Sequence, residues 1–392
     1  MKSLKLMSVS ILACLLLFTN CKKDDSLLNE ISPDVETERT SSGSMNNGKS
    51  WNSTYYMPDE TQPHEGTWLQ WPHRYQYGKT FRNRLEPTWV AMTKELVQSE
   101  KVHIIAYNQK AKKRIKNKLT EAGVPLANVD FKIFKTNDVW VRDNGPIFVE
   151  DASGQLKIED WGFNGWGYKT AYGKDNVIPK SVGNSIGMPV VNLNGFLNLE
   201  GGSFEIDGNG VFLATKSAIL NDNRNPGVSQ AEAEEILHDM LGVEKFIWLD
   251  GVPGLDLTDM HIDGFARFGD ENTIVTMNST DLTYWEVPQS DINKLYASTD
   301  FDGTPYDFIY LPLTKKNVKT TYGKNLWTKG SYVNFYVANT KVLVPTYNDP
   351  NDAVAIDILQ GLYPDREVVG IDVRNLYANG GMVHCVTQQQ PE

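Results

Sequence analysis

Cys385 is the only cysteine in the body of this chain, because Cys14 and Cys21 lie in or beside an N-terminal leader. A lone thiol there is neither half of a disulfide within the body nor part of a multi-cysteine zinc site. His261 and Asp263 are two apart, and in an extended segment both side chains face the same way and address one ligand. Asp143 precedes a turn in Trp140-Val141-Arg142-Asp143-Asn144-Gly145-Pro146, and Glu200 precedes two glycines in Leu199-Glu200-Gly201-Gly202. Each residue alone fits a structural role: a small buried thiol, a satisfied core histidine, a turn-capping carboxylate. Together, one thiol, one imidazole and three carboxylates, with Trp140 close in sequence to Asp143, suit a small planar cation. Carboxylates bind a guanidinium through paired hydrogen bonds, and an indole packs on its stem or face. Attack of the thiolate on the guanidinium carbon, with the imidazole passing protons, releases ammonia and leaves a covalent intermediate for water to hydrolyse to a urea. A cysteine peptidase or glutaminase needs an oxyanion hole and little negative charge around its thiol, whereas three acids oppose thiolate formation until a cation arrives. Of the other histidines, His103 and His238 read as structural, and His64 and His73 as core or rim.

These groups need elements to hold them. Helical spacing is expected over Pro87–Ser99, Lys110–Ala122, Ser229–Leu241 and Asp352–Leu362. Strands are expected over Lys101–Tyr107, Gly210–Thr215, Lys245–Leu249, Asn272–Met277, Phe308–Leu313, Tyr332–Val337, Lys341–Pro345 and Glu367–Ile371. The class is therefore α/β. It has no glycine-rich turn that seats a pyrophosphate and no Gly-Lys-Ser/Thr phosphate loop. Polar residues recur after strands in Thr136-Asn137-Asp138, Met277-Asn278 and Tyr347-Asn348-Asp349, which points to a weak internal repeat with ligand groups at strand ends. Trp161 and Trp166, interleaved with Gly162, Gly165 and Gly167, read equally as a substrate lid or a rigid turn.

The leader sets the compartment. Residues 1–20 carry Lys2 and Lys5 and then an apolar stretch from Val9 to Phe18, too short to span as a stable helix and shaped like a secretory signal. Leu17-Phe18-Thr19-Asn20-Cys21 resembles a lipoprotein cleavage box, with Cys21 the expected lipid carrier; an uncleaved N-terminal anchor would leave the body on the same side of the membrane. An exported, membrane-anchored lipoprotein follows, on the periplasmic face or the cell surface of a Gram-negative outer membrane. Residues 21–54 have almost nothing apolar to bury and read as a disordered tether, leaving 55–392 as a single catalytic domain. The formal charge is −11, or −13 once Lys2 and Lys5 leave with the leader, a surface that repels nucleic acid and attracts cations.

The stretches Met57-Pro58 to His73, Trp140 to Pro146, Leu199-Glu200-Gly201-Gly202-Ser203, Leu220 to Pro226, Ser331-Tyr332-Val333-Asn334-Phe335 and His384-Cys385-Val386-Thr387-Gln388-Gln389-Gln390-Pro391 resemble the agmatine deiminase family, which belongs with bacterial peptidylarginine deiminases among guanidino-modifying enzymes. The resemblance implies a five-bladed α/β propeller with pseudo-fivefold symmetry, one central site, no metal and no cofactor. It puts Cys385 at the nucleophile, His261 at the general acid/base, Asp143 and Asp263 at the guanidinium-binding positions, Glu200 near the same group and Trp140 along the substrate stem. The expected reaction is conversion of agmatine to N-carbamoylputrescine and ammonia; deimination of peptidyl-arginine to citrulline is the alternative, and a lipoprotein that binds guanidines without turnover a third reading. The family's acid four residues before the histidine is replaced by Leu257, so Asp256 or Asp259 would have to meet the distal amine of agmatine.

Overall fold

Among the described residues, alternating strands and helices assemble into five sheets of three or four strands that share one pairing pattern, an antiparallel pair extended by a parallel one. The computed structural model describes residues 43–44, 50–51 and 53–392. Cys21 and the expected leader lie outside them, as does most of the expected tether, in which Gly43–Ser44 pairs with Ser50–Trp51.

In the first sheet His64–Gln70 pairs antiparallel with Gln388–Pro391 and parallel with Lys101–Ala106, which continues to Val129–Ile133. The second joins Tyr55–Tyr56, Ile147–Asp151, Leu156–Gly162 and Val190–Asn198. The others are Phe204–Ile206 with Val211–Thr215 and Lys245–Leu249, Ala266–Asp270 with Thr273–Thr276 and Asp307–Tyr310, and Tyr336–Val337 with Lys341–Thr346 and Glu367–Asp372. A helix bridges a parallel pair in every sheet: Arg74–Leu96, Ile178–Ile186, Gln230–Leu241, Gln289–Tyr296 and Asn351–Leu362. Parallel strands require such a crossover, and covering them on both sides explains why Val211–Thr215 is buried along its whole length.

Local chemistry sets the helix ends. Ser229 and Glu232 form a reciprocal capping box, Gly242 closes the same helix in the left-handed conformation, and Ala233, Leu237 and Leu241 carry its buried face. Truncating Leu237 to Ala would remove about 2–5 kcal/mol.

Several expectations shift. The helix expected from Pro87 begins at Arg74, because His73 caps it by accepting from the Gln76 amide and Gly78, at φ 66, kinks the added turns. The strand expected over Tyr332–Val337 is reduced to Tyr336–Val337; the preceding residues turn so that the Asn334 side chain bonds Cys385. The strand-end polar residues hold backbone amides. Asn137 Oδ1 accepts the Lys174 amide and Asp138 Oδ1 the Val139 amide, Asn278 caps the helix Ser279–Tyr284, and Asp349 accepts the Lys315 and Lys316 amides. Among the described residues no helix is long and apolar enough to cross a membrane.

Candidate active site

Four short turns deliver the reactive groups. Asp143 sits in the helical turn Val141–Asn144, Glu200 in the turn after Val190–Asn198, His261 and Asp263 at the 3₁₀ turn Ile262–Gly264, and Cys385 in the 3₁₀ turn His384–Val386. The segment around His261 is thus not extended, since the Phe265 amide closes onto the Ile262 carbonyl. Both side chains nevertheless reach one cluster.

Asp143, Glu200, His261 and Asp263 are all buried and Cys385 partly so. His261 Nε2 lies 3.1 Å from Glu200 Oε2, and its Nδ1 3.7 Å from Asp143 Oδ1. Gly202 marks the meeting point: a Cβ added there would stand 2.8 Å from Asp143 Oδ1, 2.8 Å from His261 Nδ1 and 3.0 Å from Asp263 Oδ2. Only glycine leaves these three atoms room to converge. Trp140 is brought in by a similar close approach, its ring lying against Gly381, where a Cβ would come within 2.1 Å. Gly381, before Cys385, thus admits Trp140 on the protein side.

The electrostatics are asymmetric. Burial pushes the Asp143 carboxyl up to about 6; His261 opposes this, and the charges of Asp263 and Glu200 add to it. Asp263 is equally buried, yet the bond and charge of His384, with His261 and Arg267, hold it below the usual carboxylate range. Burial alone would push the His261 imidazole down, but the charge of Asp143 and the bond and charge of Glu200 outweigh it and hold the ring up at about 9. Burial and the charges of Asp263 and Asp143 push the Cys385 thiol well above its ordinary value, against bonds from the Met382 backbone and Asn334.

Further residues build the site, and of these Asn334, Glu60, Arg142, Arg267 and Arg224 were given no role from the sequence. Asn334 Oδ1 accepts the His384 amide at 3.0 Å and faces Cys385 Sγ at 3.4 Å, while its Nδ2 donates to the Asp263 carbonyl at 3.1 Å, so one amide fixes both turns. His384 lies between Asp263 and Glu60, and Glu60 also pairs with Arg142 and Arg267. Trp166 Nε1 donates to Asp143 Oδ2 at 3.0 Å, and Arg224 Nε to Glu200 Oε1 at 2.7 Å. Trp161 instead donates to Glu159. The two candidates for the distal amine are held differently. Asp256 Oδ1 accepts from Thr258 and the Met260 amide, and Asp259 is engaged by Arg224, Lys169, Asn223 and the Gly254 amide; Leu257 is exposed. Among the described residues no set of three or more His, Cys, Asp and Glu side chains is disposed to hold a metal ion.

A partly buried thiol that feels the charges of Asp263 and Asp143, in a cluster with the His261 imidazole, suits a planar cation rather than an anion. Residues 56–391 match the sequence model of the Porphyromonas-type peptidyl-arginine deiminase family. The chain is 32% identical over 359 residues to the agmatine deiminase of Pseudomonas aeruginosa (strain LESB58), covering 86% of this chain and 95% of that one. It is similar to the solved agmatine deiminase of Enterococcus faecalis, with 28% identity, a TM-score of 0.75 and coverage of 86% of this chain and 96% of the other. A C. jejuni agmatine deiminase variant with substrate bound gives 27% identity, a TM-score of 0.74 and the same coverages.

Proposed function

The chain belongs to the Porphyromonas-type peptidyl-arginine deiminase family, and from that premise we propose that it hydrolyses the guanidinium group of agmatine to N-carbamoylputrescine and ammonia. Asp143 and Asp263 receive the guanidinium. Its positive charge offsets the two carboxylates that hold the Cys385 thiol protonated, so the thiol releases its proton to solvent and the thiolate forms as the substrate seats. Sγ attacks the guanidinium carbon, and the C–N bond breaks as ammonia leaves with a proton from the His261 imidazolium. His261, now neutral, takes a proton from water as the water oxygen attacks the same carbon; the C–S bond breaks, the urea leaves and the thiol is restored. Trp140 lines the stem, and Glu200 holds His261 in orientation.

The observation that carries this reading is the pairing of the thiol with two buried acids, an arrangement that suppresses the nucleophile until a cation arrives. Agmatine is the substrate supported by the agmatine deiminases the chain resembles. Peptidyl-arginine is the second reading, favoured by one feature: Leu257 is apolar, Asp256 binds its own loop through Oδ1, and Asp259 is engaged by Arg224 and Lys169. The deciding experiment measures ammonia and ureido product from agmatine, free arginine and a peptide with C-terminal arginine, with Cys385→Ala as control. Cys385-dependent product from agmatine at the highest kcat/KM is expected; a higher kcat/KM for the peptide would replace agmatine with protein-bound arginine.

The shared pairing pattern of the five sheets supports their closure as the blades of a pseudo-fivefold propeller, with the Gln388–Pro391 strand, paired to His64–Gln70, joining the last blade to the first. Export and lipid anchoring through Cys21 complete the proposal and rest on the leader sequence alone. Partition of the full-length protein into detergent, lost on Cys21→Ser, would test the anchor.

A further inference from the structure

Gly165, Trp166, Gly167 and Tyr168 have φ of 68, 55, 83 and 63 in succession. The Tyr168 amide donates to the Asn164 carbonyl at 2.8 Å and the Lys169 amide to the Gly165 carbonyl at 3.1 Å, so the four residues form one turn of left-handed helix. Such a turn disfavours L-residues, and here both a tryptophan and a tyrosine adopt it. The Tyr168 ring is 71% exposed, so its burial does not offset the strain. What the turn achieves lies on the other side: Trp166 is buried, meets Phe163 edge to face at 5.1 Å and donates its indole N–H to Asp143.

Two contacts hold the turn. Asn164 accepts the Gly167 amide and donates to the Asn223 carbonyl, while Gly167 packs on Asn223 so closely that a Cβ would fall 2.6 Å from it. Lys169, the next residue, reaches across to a second left-handed segment. Its Nζ lies 2.7 Å from Asp259 Oδ2, 2.9 Å from the Leu257 carbonyl and 3.4 Å from that of Asp256. Asp259 and Met260 have φ of 61 and 74, and His261 follows directly. Asp259 also binds Arg224, which bonds Glu200, which bonds His261. One end of this connection therefore terminates on Asp143 and the other on His261.

We propose that Lys169 is a positioning residue for deimination: its ammonium clamps the left-handed turn that carries Trp166 to the loop that carries His261, and so sets the separation of Asp143 and His261. The inference rests on the deimination reading for its kinetic arm only. Lys169 lies at the partly exposed end of the connection and Asp259 at the buried end, so changing the lysine loosens the clamp without opening the core.

The test compares Lys169→Met, Lys169→Arg, Trp166→Phe and the Lys169→Met/Trp166→Phe double variant, by steady-state deimination of agmatine and by hydrogen exchange. Lys169→Met should lower kcat by about 10-fold or more with a smaller change in KM, and Lys169→Arg should recover most of it. Because both residues act on Asp143 through one turn, the double variant should be no slower than about the worse single variant, rather than slower by the product. Exchange of the 254–260 amides should rise in Lys169→Met while the Val211–Thr215 strand stays protected. Multiplying kinetic effects, or an active wild type with kcat unchanged in Lys169→Met, overturns the positioning role. Absence of Cys385-dependent turnover in the wild type would instead overturn the deimination reading; the exchange arm still decides the clamp, and unchanged exchange at 254–260 overturns it.

Discussion

His384 Nδ1 lies 2.8 Å from Asp263 Oδ2, and its Nε2 lies 2.8 Å from Glu60 Oε2. The residue next to Cys385 is thus suspended between two carboxylates, the buried Asp263 and the largely buried Glu60. This uses one oxygen of Asp263 and fixes the plane of the carboxylate. Glu60 is in turn held well below the usual carboxylate range: burial alone would raise it, but the charge of Arg267, the charge and bond of His384 and the charge of Arg142 prevail.

Replacing His384 with alanine leaves Asp263 and Glu60 without their shared donor. Removing one partner of a buried, hydrogen-bonded charge pair destabilises by about 3–5 kcal/mol, and thermal unfolding should report a loss of that order. His384→Gln, which restores a single donor, should keep more of the stability. Both variants should lower kcat/KM, by about 10²-fold if Asp263 moves by the order of 1 Å. A fully active, fully stable His384→Ala protein would remove His384 from this role.

The pH dependence follows from the two shifted groups. Asp143 must be ionised to receive a guanidinium, and His261 must be protonated to deliver a proton to the leaving ammonia, so kcat/KM should rise through about 6 and fall through about 9. Stability moves with them. His261, raised on folding, contributes stability that is complete below its unfolded value of about 6.5 and is lost as pH rises through about 9. Asp143 is also raised, so the folded state binds the proton more tightly and stability falls as pH rises from about 4 to about 6. Asp143→Asn should remove that contribution in a pH series of thermal melts and leave the slope due to other raised acids such as Asp175, at about 7. A kcat/KM profile flat from pH 5 to pH 10 would sink the assignment of both groups.

Gly202→Ala tests the convergence itself. Its Cβ would meet Asp143, His261 and Asp263 at 3.0 Å or less, so at least one of the three must move. Overpacking of this kind destabilises by about 1–3 kcal/mol, while activity should fall by about 10²-fold or more. The measurement is the ratio of the two effects: Gly202→Ala should inactivate far more than Gly361→Ala, at a glycine with open space around its Cβ position.

These relationships were legible in the sequence to different depths. Cys385, His261, Asp143, Asp263, Glu200 and Trp140 sit in short local motifs, and one chemistry accounts for all six. The alternation of strands and helices likewise gave the α/β class. Glu60 carries no such mark: nothing sets it apart within the Met57–His73 stretch, it lies 324 residues from His384 in sequence, and only the folded chain brings them together. Asn334 was read as part of a strand because its neighbours are aromatic and β-branched, but its bonds to Cys385 and His384 prevail over that preference. The left-handed turn was hidden for the opposite reason. Trp166 and Tyr168 disfavour that conformation, so a rule drawn from propensity points away from what the site requires.

The thiol offers a test that needs no turnover. Burial and the charges of Asp263 and Asp143 push Cys385 well above its ordinary range, so the empty enzyme should react slowly with iodoacetamide at pH 7.5. Asp263→Asn and Asp143→Asn each remove one of those charges, and the alkylation rate of the empty site should therefore increase, even though neither variant can hold a guanidinium well enough to turn over. A small guanidinium that leaves the thiol accessible should accelerate alkylation in the wild type and do little in the variants, because its effect acts through the same two carboxylates. Were the acids present only to shape the fold, the substitutions would lower stability and leave the alkylation rate of the folded protein unchanged. A gain in thiol reactivity coupled to a loss of deimination is the outcome expected only where the charges that suppress the nucleophile are the ones the substrate neutralises.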